Sequence, residues 1–295
     1  MRTVVPGVIL VTGGSGQLAR ALAAARPVRV VGRPEFDFDR PDSMIGVLRA
    51  ARPTLLVNAA AYTAVDKAES EPEAADRANH LGPGLLARFC AEEGIPLIHV
   101  STDYVFDGLK GAPYVETDPT SPTGVYGATK LVGERAVMAA GGHATVLRTA
   151  WVYSPWGKNF VLTMRNAAKK TDTLRVVADQ IGCPTSAADL AGAILAIADR
   201  VGAGWDARYG GVFHACGTGE ASWHGLAEAV FARAAIHGQR VPTVLPIATA
   251  DWPTPARRPP DSRLDSGKLA KVFGVTLPEW RRSVETVVDA AFEQT

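Results

Sequence analysis

Thr12-Gly13-Gly14-Ser15-Gly16-Gln17-Leu18-Ala19 follows the apolar run Val8–Val11 and opens a helical pattern. The stretch matches G-x-G-x-x-A, the turn between a first strand and a first helix that binds a dinucleotide pyrophosphate. Glycine lets backbone amides approach the phosphates, and the helix N-terminus adds partial positive charge. A tight turn that binds nothing is the alternative. The stretch predicts a Rossmann-like fold with these cofactor contacts: Gly14, Ser15, Gly16, Gln17 and Leu18.

Apolar runs and helical patterns alternate through the first half of the chain. The later runs are Val28–Val31, Leu55–Ala59, Pro96–Ser101 and Ala144–Ala150. Runs that are apolar throughout are typical of strands covered on both faces, as in parallel sheets. We therefore predict an α/β fold with a doubly wound parallel sheet. Helices are predicted at about 18–25, 43–51, 74–93, 126–139 and 188–201, with Asp42-Ser43 and Ser121 as entry caps.

The last third of the sequence has a different character. Six prolines fall between Pro242 and Pro260, and long strand patterns are absent. This composition predicts a smaller, loop-rich C-terminal lobe that binds the substrate. We assign residues 1–154 and about 174–201 to the dinucleotide-binding domain, and residues 155–173 and 202–295 to the lobe. Ligands of doubly wound proteins bind above the strand ends, in the cleft that such a lobe would close.

Composition excludes several other classes of protein. With 295 residues and 47% apolar content, the chain can bury a large core. Its 31 basic and 30 acidic residues give a net charge of +1, so no general field attracts nucleic acid or an anionic membrane. The first apolar run is too short for a signal peptide or a membrane span, which indicates a cytoplasmic protein. Three separated cysteines without C-x-x-C spacing predict no metal site and no disulfide framework.

The residues after the second and third strands indicate which dinucleotide binds. Arg33 follows the second strand, where an acidic residue would accept hydrogen bonds from the ribose of NAD. We therefore expect NADPH to be preferred, with NADH as the alternative if Arg33 is only a surface charge. We place Asp37, Phe38 and Asp39 at the adenine pocket, although a capped loop explains them equally well. The small side chains of Ala59–Ala61 suit a backbone that passes close to the cofactor.

A tyrosine and a lysine four residues apart predict the chemistry. Tyr126 and Lys130 would lie on one face of a helix, where an ammonium favours a phenolate and lowers a tyrosine pKa of about 10. The spacing alone is common by chance and also fits a solvated helix face. Ser101-Thr102-Asp103 ends the preceding strand, which brings it to the same rim of the sheet.

With these pieces together, the chain resembles the extended short-chain dehydrogenase/reductase superfamily and, within it, the dTDP-4-dehydrorhamnose reductase family. The resemblance covers nearly the whole sequence. It lies in the strings 14–18, 57–69, 101–106, 125–130, 148–153, 179–180, 182–185, 258–259 and 262–264.

The resemblance implies reduction of the C4 ketone of dTDP-6-deoxy-L-lyxo-4-hexulose to dTDP-L-rhamnose with NADPH. In this family Tyr126 would donate the proton, and Lys130 would assist it and hold the nicotinamide ribose. Thr102 would hydrogen-bond the ketone oxygen. Asp103 and Trp151 resemble the contacts to the sugar nucleotide. Tyr62, within the string 57–69, joins the cofactor contacts.

Several alternatives stay open at this stage. A dehydratase of the same fold is disfavoured, because Asp103 is followed by Tyr104 where such enzymes resemble Thr-Asp-Glu. A reductase of another nucleotide-linked 4-keto-6-deoxysugar is the nearest competitor. A non-catalytic NADPH-binding regulatory subunit is the rival from a different class. The sequence does not decide the oligomeric state, and a homodimer is one option.

Overall fold

A computed structural model describes residues 7–294 of the chain. Within that range the strands, in chain order, are β1 (Ile9–Thr12), β2 (Arg29–Val31), β3 (Leu55–Asn58), β4 (Leu97–Thr102), β5 (Ala144–Thr149), β6 (Val152–Tyr153), β7 (Thr173–Val177), β8 (Ile181–Gly182), β9 (Thr185–Ser186), β10 (Gly211–His214), β11 (Ala221–Ser222) and β12 (Thr243–Ile247).

Six of these strands form one parallel sheet in the order β10-β5-β4-β3-β1-β2. The chain moves outward from β1 to β2 and then returns to β3 on the other side, so the strand order reverses between β1 and β3. Such a reversal opens a crevice at the carboxyl ends of the strands, where ligands of doubly wound proteins bind. The predicted α/β fold with a parallel central sheet is confirmed.

The helices of the same range are α1 (Gln17–Ala25), α2 (Pro41–Ala51), α3 (Val65–Ala68), α4 (Pro72–Asp76), α5 (Gly82–Glu93), α6 (Val125–Ala139), α7 (Phe160–Ala168), α8 (Ala187–Ala203), α9 (Trp223–Ile236), α10 (Gly267–Phe273) and α11 (Trp280–Glu293). None of these helices is long and apolar enough to cross a membrane.

Helices cover both faces of the sheet because successive strand residues point to opposite sides. Val11 and Val57 pack on the face covered by α1, α8 and α10. Leu10 and Leu56 pack on the opposite face with residues of α2, α5 and α6. This two-sided burial explains why the strand sequences are apolar throughout.

The predicted boundary at residue 202 is corrected by β10. Gly211–His214 pairs with β5 as the edge strand of the main sheet, although it lies inside the segment assigned to the lobe. Phe213 is fully buried there and packs with Leu269 and Phe273 of α10. A four-residue strand with two apolar residues gives too weak a pattern to identify from sequence. Residues 1–6 and 295 of the assigned domains lie outside the described residues.

Elements of the last third build a small layer beside the sheet together with α7 and β7, which come earlier in the chain. Most of β7 lies within residues 174–201, which were assigned to the dinucleotide-binding domain, so that boundary is corrected as well. Here β7 pairs with β12, while α7, α9 and α11 bury a separate apolar cluster around Trp280 and Tyr153. These elements stand at the carboxyl ends of the strands of the main sheet, and they leave a cleft between the two layers.

The helix predicted at 74–93 is confirmed, and it contains a π-helical turn at Arg77–Leu81. Pro83 follows this turn and has no N–H to donate to the Asn79 carbonyl. The predicted caps are absent: α2 begins after Arg40, and α6 begins after Gly124 without a side-chain cap from its own N-cap residue.

Candidate active site

A cleft of about 900 Å³ lies above the carboxyl ends of the central strands, between the sheet and the C-terminal layer. Every predicted site residue except Asp37 lines it. These residues are Gly14, Ser15, Gly16, Gln17, Leu18, Arg33, Phe38, Asp39, Ala59, Ala60, Ala61, Tyr62, Thr102, Asp103, Tyr126, Lys130 and Trp151.

The glycine-rich turn forms one end of the cleft as a cradle of backbone atoms. Gly13 and Gly14 adopt positive φ angles of 114° and 52°, which only glycine reaches without strain. The Gly14 amide donates to the Val31 carbonyl at 3.0 Å and so ties the turn to β2. A Cβ atom on Gly32 would lie 2.6 Å from the Cα atom of Gly14. No side chain caps α1, so the amides of its first turn are available to an anion such as a pyrophosphate.

A buried polar chain supports the floor of the cleft beneath this turn. Thr12 donates its hydroxyl to Asn58 Oδ1 at 2.6 Å, and the Asn58 amide lies 2.9 Å from His99 Nδ1. Burial lowers the pKa of His99 well below its usual value, so its ring is neutral. The chain joins β1, β3 and β4 and positions the Ala60 amide, which donates to Thr12 Oγ1 at 3.2 Å.

The charged residues at the cleft mouth are paired with one another. Arg33 keeps 67% of its side chain exposed and contacts Asp37 at 3.1 Å and Asp39 at 3.3 Å. Arg77 lies 2.6 Å from the same Asp39. Asp37 also accepts a hydrogen bond from the Asp39 amide, so it caps the loop and does not line the cleft. Of the three residues predicted at the adenine pocket, Phe38 and Asp39 line the cleft, together with Phe36, whereas Asp37 does not.

Helix α6 carries Tyr126 and Lys130 into the cleft beside the end of β4. The helix passes so close to the segment after β4 that a Cβ atom on Gly127 would lie 2.1 Å from the Tyr104 carbonyl oxygen. The rings of Tyr104 and Tyr126 make an edge-to-face contact with centroids 5.5 Å apart. Lys130 is buried and donates to the Val100 carbonyl at 2.6 Å. The i, i+4 pair and the strand end therefore meet, as the spacing predicted.

The electrostatics of the pair differ from the sequence-based expectation. Burial raises the pKa of Tyr126 to about 12, the charge of Asp103 adds to this, and a hydrogen bond with Thr102 opposes it. Burial lowers the pKa of Lys130 to about 8, against the charge of Glu134, which raises it. The predicted lowering of the tyrosine pKa is therefore wrong for this state of the site. The phenol keeps its proton near neutral pH, as a proton donor must.

Asp103 is a buried carboxylate next to these groups. Its Oδ1 atom accepts a hydrogen bond from the Thr102 hydroxyl at 3.0 Å. Burial raises its pKa to about 6, although hydrogen bonds to Ser262 and Thr102 oppose the increase. At neutral pH the residue is therefore charged, and it offers acceptor oxygens at the base of the cleft.

Two tryptophans form the wall on the lobe side. Trp151 and Trp223 are stacked with centroids 3.5 Å apart and ring planes 4° apart. Trp151 adopts a left-handed backbone with φ of 47°, which is rare for a bulky side chain. Trp223 is fixed by its indole N–H, which donates to Gln180 Oε1 at 3.1 Å. The pair presents a rigid apolar surface to the cleft.

The short segment Val65–Glu71 connects three parts of the site. Asp66 forms a two-point ion pair with Arg258, at 2.9 and 2.8 Å. Glu69 accepts a hydrogen bond from the Val125 amide at 2.8 Å, and so caps α6 from another part of the chain. Glu71 accepts from the Tyr62 hydroxyl at 2.7 Å.

Comparison with known proteins gives a consistent result over almost the full length. The family model described as the RmlD substrate binding domain matches residues 7–292. The dTDP-4-dehydrorhamnose reductase of Sinorhizobium fredii is 48% identical over 285 residues, covering 95% of this chain and 96% of the relative. That of Burkholderia thailandensis is 45% identical, covering 94% of this chain and 96% of the relative. The chain belongs to the dTDP-4-dehydrorhamnose reductase family.

Solved structures of the same family share the fold. The Clostridium acetobutylicum reductase has a TM-score of 0.88 at 35% identity, covering 97% of this chain and 99% of that one. The Bacillus anthracis reductase, solved in complex with NADP, has a TM-score of 0.86 at 30% identity, covering 98% of this chain and 99% of that one.

Several residues that line the cleft of this family member were not identified from sequence. Trp223 stacks on Trp151 from a position more than seventy residues later, and no motif in its neighbourhood predicts that contact. Tyr104, Lys158 and Lys67 also line the cleft. Tyr104 could have been found, because it directly follows Thr102-Asp103 at a strand end.

Proposed function

We propose that this protein reduces the C4 ketone of dTDP-6-deoxy-L-lyxo-4-hexulose to the hydroxyl of dTDP-L-rhamnose, using NADPH. The observation that carries the proposal is that the glycine turn and the group Thr102, Tyr126 and Lys130 line one continuous cleft. Reduction of a ketone needs a dinucleotide and a proton donor side by side, and this cleft provides room for both.

The residues present fit a dinucleotide. The uncapped start of α1 and the glycine cradle would hold the pyrophosphate, and Arg33 would contact the 2′-phosphate. Lys130 would hold the nicotinamide ribose. When bound, the reduced nicotinamide supplies a hydride to the ketone carbon. NADH remains the alternative reductant, because Asp37 and Asp39 already balance the charge of Arg33.

The proton comes from the chain itself. Tyr126 donates its phenolic proton to the ketone oxygen as charge develops there, and Thr102 stabilises the same oxygen by hydrogen bonding. Asp103 accepts hydrogen bonds from sugar hydroxyls, and Trp151 packs on the apolar face of the deoxysugar. The lobe, which contains α7, β7, α9, β12 and α11, holds the rest of the sugar nucleotide.

Rival functions make different demands on these positions. A dehydratase needs a second carboxylate beside Asp103 to eliminate water, and Tyr104 occupies that position. A regulatory subunit that only binds NADPH has no need for Thr102, Tyr126 and Lys130 together. A reductase of another nucleotide-linked 4-keto-6-deoxysugar would use the same cleft, and only the substrate would differ.

The test is turnover by the purified protein. We expect it to oxidise NADPH, followed by the loss of reduced-nicotinamide absorbance, when freshly generated dTDP-4-keto-L-sugar is added, and to release dTDP-L-rhamnose. A dTDP-hexose without a ketone is the control and should leave NADPH unchanged. Binding of NADPH without oxidation would favour the regulatory role. Faster turnover of a different 4-keto-6-deoxysugar nucleotide would reassign the substrate.

A further inference from the structure

Glu134 is a buried carboxylate on the same helix face as the proposed catalytic pair. It lies one turn beyond Lys130 and two turns beyond Tyr126 in α6. Glu134 is 3% exposed and Lys130 is 1% exposed. A charged group at such depth is costly unless other groups hydrogen-bond or neutralise it. The contacts of Glu134 therefore show what keeps it there.

The carboxylate joins α6 to two strands. Its Oε1 atom accepts from the Ser101 hydroxyl at 2.5 Å and from Arg148 Nε at 2.9 Å, and its Oε2 atom accepts from Arg148 Nη2 at 2.7 Å. Ser101 lies on β4 between Val100, whose carbonyl accepts a hydrogen bond from the Lys130 ammonium, and Thr102. Arg148 lies on β5. Glu134 thus fixes the helix against β4 at Ser101, the residue between Val100 and Thr102, and against β5 at Arg148.

Glu134 also affects the charge state of Lys130. The ionisable groups near Lys130 are His99 on β4, Tyr126 and Glu134 on its own helix, Asp103 after β4 and Arg148 on β5. His99 and Tyr126 are uncharged near neutral pH. Burial lowers the pKa of Lys130 to about 8, and the negative charge of Glu134 on the same helix opposes this by raising the pKa.

We propose that Glu134 is a positioning residue for the proposed reduction. It keeps the Lys130 ammonium charged and holds it against the end of β4 beside Thr102. It does not touch the substrate and acts through Lys130. The inference rests on the proposed function for its meaning in catalysis. Its physical content, the charge state of Lys130, can be measured without turnover.

The first measurement is a titration of Lys130. The sequence contains eight lysines, so protein labelled with ¹³C at lysine Cε gives a spectrum that can be resolved, and the signal missing from Lys130→Met identifies the residue. In Glu134→Gln we expect Lys130 to lose its proton about one pH unit lower than in the wild type, because a carboxylate one turn away is removed from a poorly solvated site. An unchanged titration would overturn the proposal.

The second measurement is the pH profile of turnover. If the ammonium is needed, kcat falls as pH rises through the pKa of Lys130, about 8, whereas Tyr126 with a pKa of about 12 keeps its proton over this range. The fall should occur about one pH unit earlier in Glu134→Gln. If the wild type shows no turnover, the proposed function fails, while the lysine titration still decides the role of Glu134.

Arg148→Met is the matched control, because it breaks the same buried ion pair but keeps the carboxylate. We expect its Lys130 to titrate no lower than in the wild type, even if the protein is less stable. An equal downward shift in both variants would assign the effect to damaged packing and overturn the proposal. If Glu134→Gln does not fold, the double variant with Arg148→Met replaces the ion pair by uncharged groups. Its Lys130 should lose its proton at a lower pH than in Arg148→Met alone, because these two variants differ only in the Glu134 carboxylate. Equal titrations in these two variants would refute the charge effect.

Discussion

Replacing Trp223 with alanine tests whether the tryptophan wall holds the sugar in place. The change removes the ring stacked on Trp151 at 3.5 Å and the hydrogen bond from its indole to Gln180. Trp151 then has to keep its left-handed backbone, which costs about 1–3 kcal/mol, without the ring that packs against it.

The size of the effect follows from the stack. An aromatic pair contributes about 0.5–1.5 kcal/mol beyond the area that it buries, which corresponds to a factor of about two to twelve in an equilibrium. We expect KM for the 4-keto sugar nucleotide to rise by about that factor. By contrast, kcat should stay within about twofold, because Tyr126 and Thr102 lie on α6 and β4 and keep their contacts.

Initial rates of NADPH oxidation at varied sugar nucleotide give both constants. Trp252→Ala is the matched control: Trp252 is 54% exposed and does not line the cleft, so its loss should leave KM unchanged. Binding of dTDP alone and of dTDP-L-rhamnose, measured by calorimetry, separates the sugar contact from the nucleotide contact. A variant with normal KM, or with equal weakening of both ligands, would refute the assigned sugar contact.

Three further predictions follow from the same site. Tyr126→Phe should lower kcat by about 10²- to 10⁴-fold while NADPH binds as before in a fluorescence titration, and a retained rate would contradict the proton-donor role. Arg33→Ala should lower kcat/KM for NADPH about threefold to tenfold and leave NADH unaffected; equal effects would make Arg33 a surface charge. Burial raises the pKa of Asp103 from 3.8 to about 6, so the charged carboxylate costs stability as pH rises through that window. The unfolding free energy of Asp103→Asn minus that of the wild type should therefore be about 3 kcal/mol larger at about pH 7 than near pH 3.5. Denaturant unfolding at both pH values measures this difference, and a difference that does not change with pH would contradict the burial argument.

The sequence predicts best what depends on neighbours along the chain. The glycine turn, the first five strands of the sheet and the shared helix face of Tyr126 and Lys130 are all local patterns, and the structure places them as expected. Asp37 was ambiguous at the outset, because a carboxylate near a turn serves as loop cap or as ligand contact with the same local sequence.

Features that depend on distant contacts could not be predicted. Strand β10 becomes a strand because it pairs with β5 and buries Phe213 under α10, not because its four residues form a strong pattern. The pKa of Tyr126 is raised mainly by burial, which depends on tertiary packing that the i, i+4 spacing does not describe. Arg258 resembles the family at its own position, yet its ion pair with Asp66 spans almost two hundred residues.

The segment Val65–Glu71 has a consequence for the order of events at the site. It contacts Tyr62 at the dinucleotide end of the cleft, Val125 at the start of α6, and Arg258 in the last third of the chain. A single stretch of seven residues thus contacts all three parts of the site. If the reductant and the sugar nucleotide bind with coupled affinities, the coupling is reciprocal, so each ligand changes the affinity of the other by the same factor.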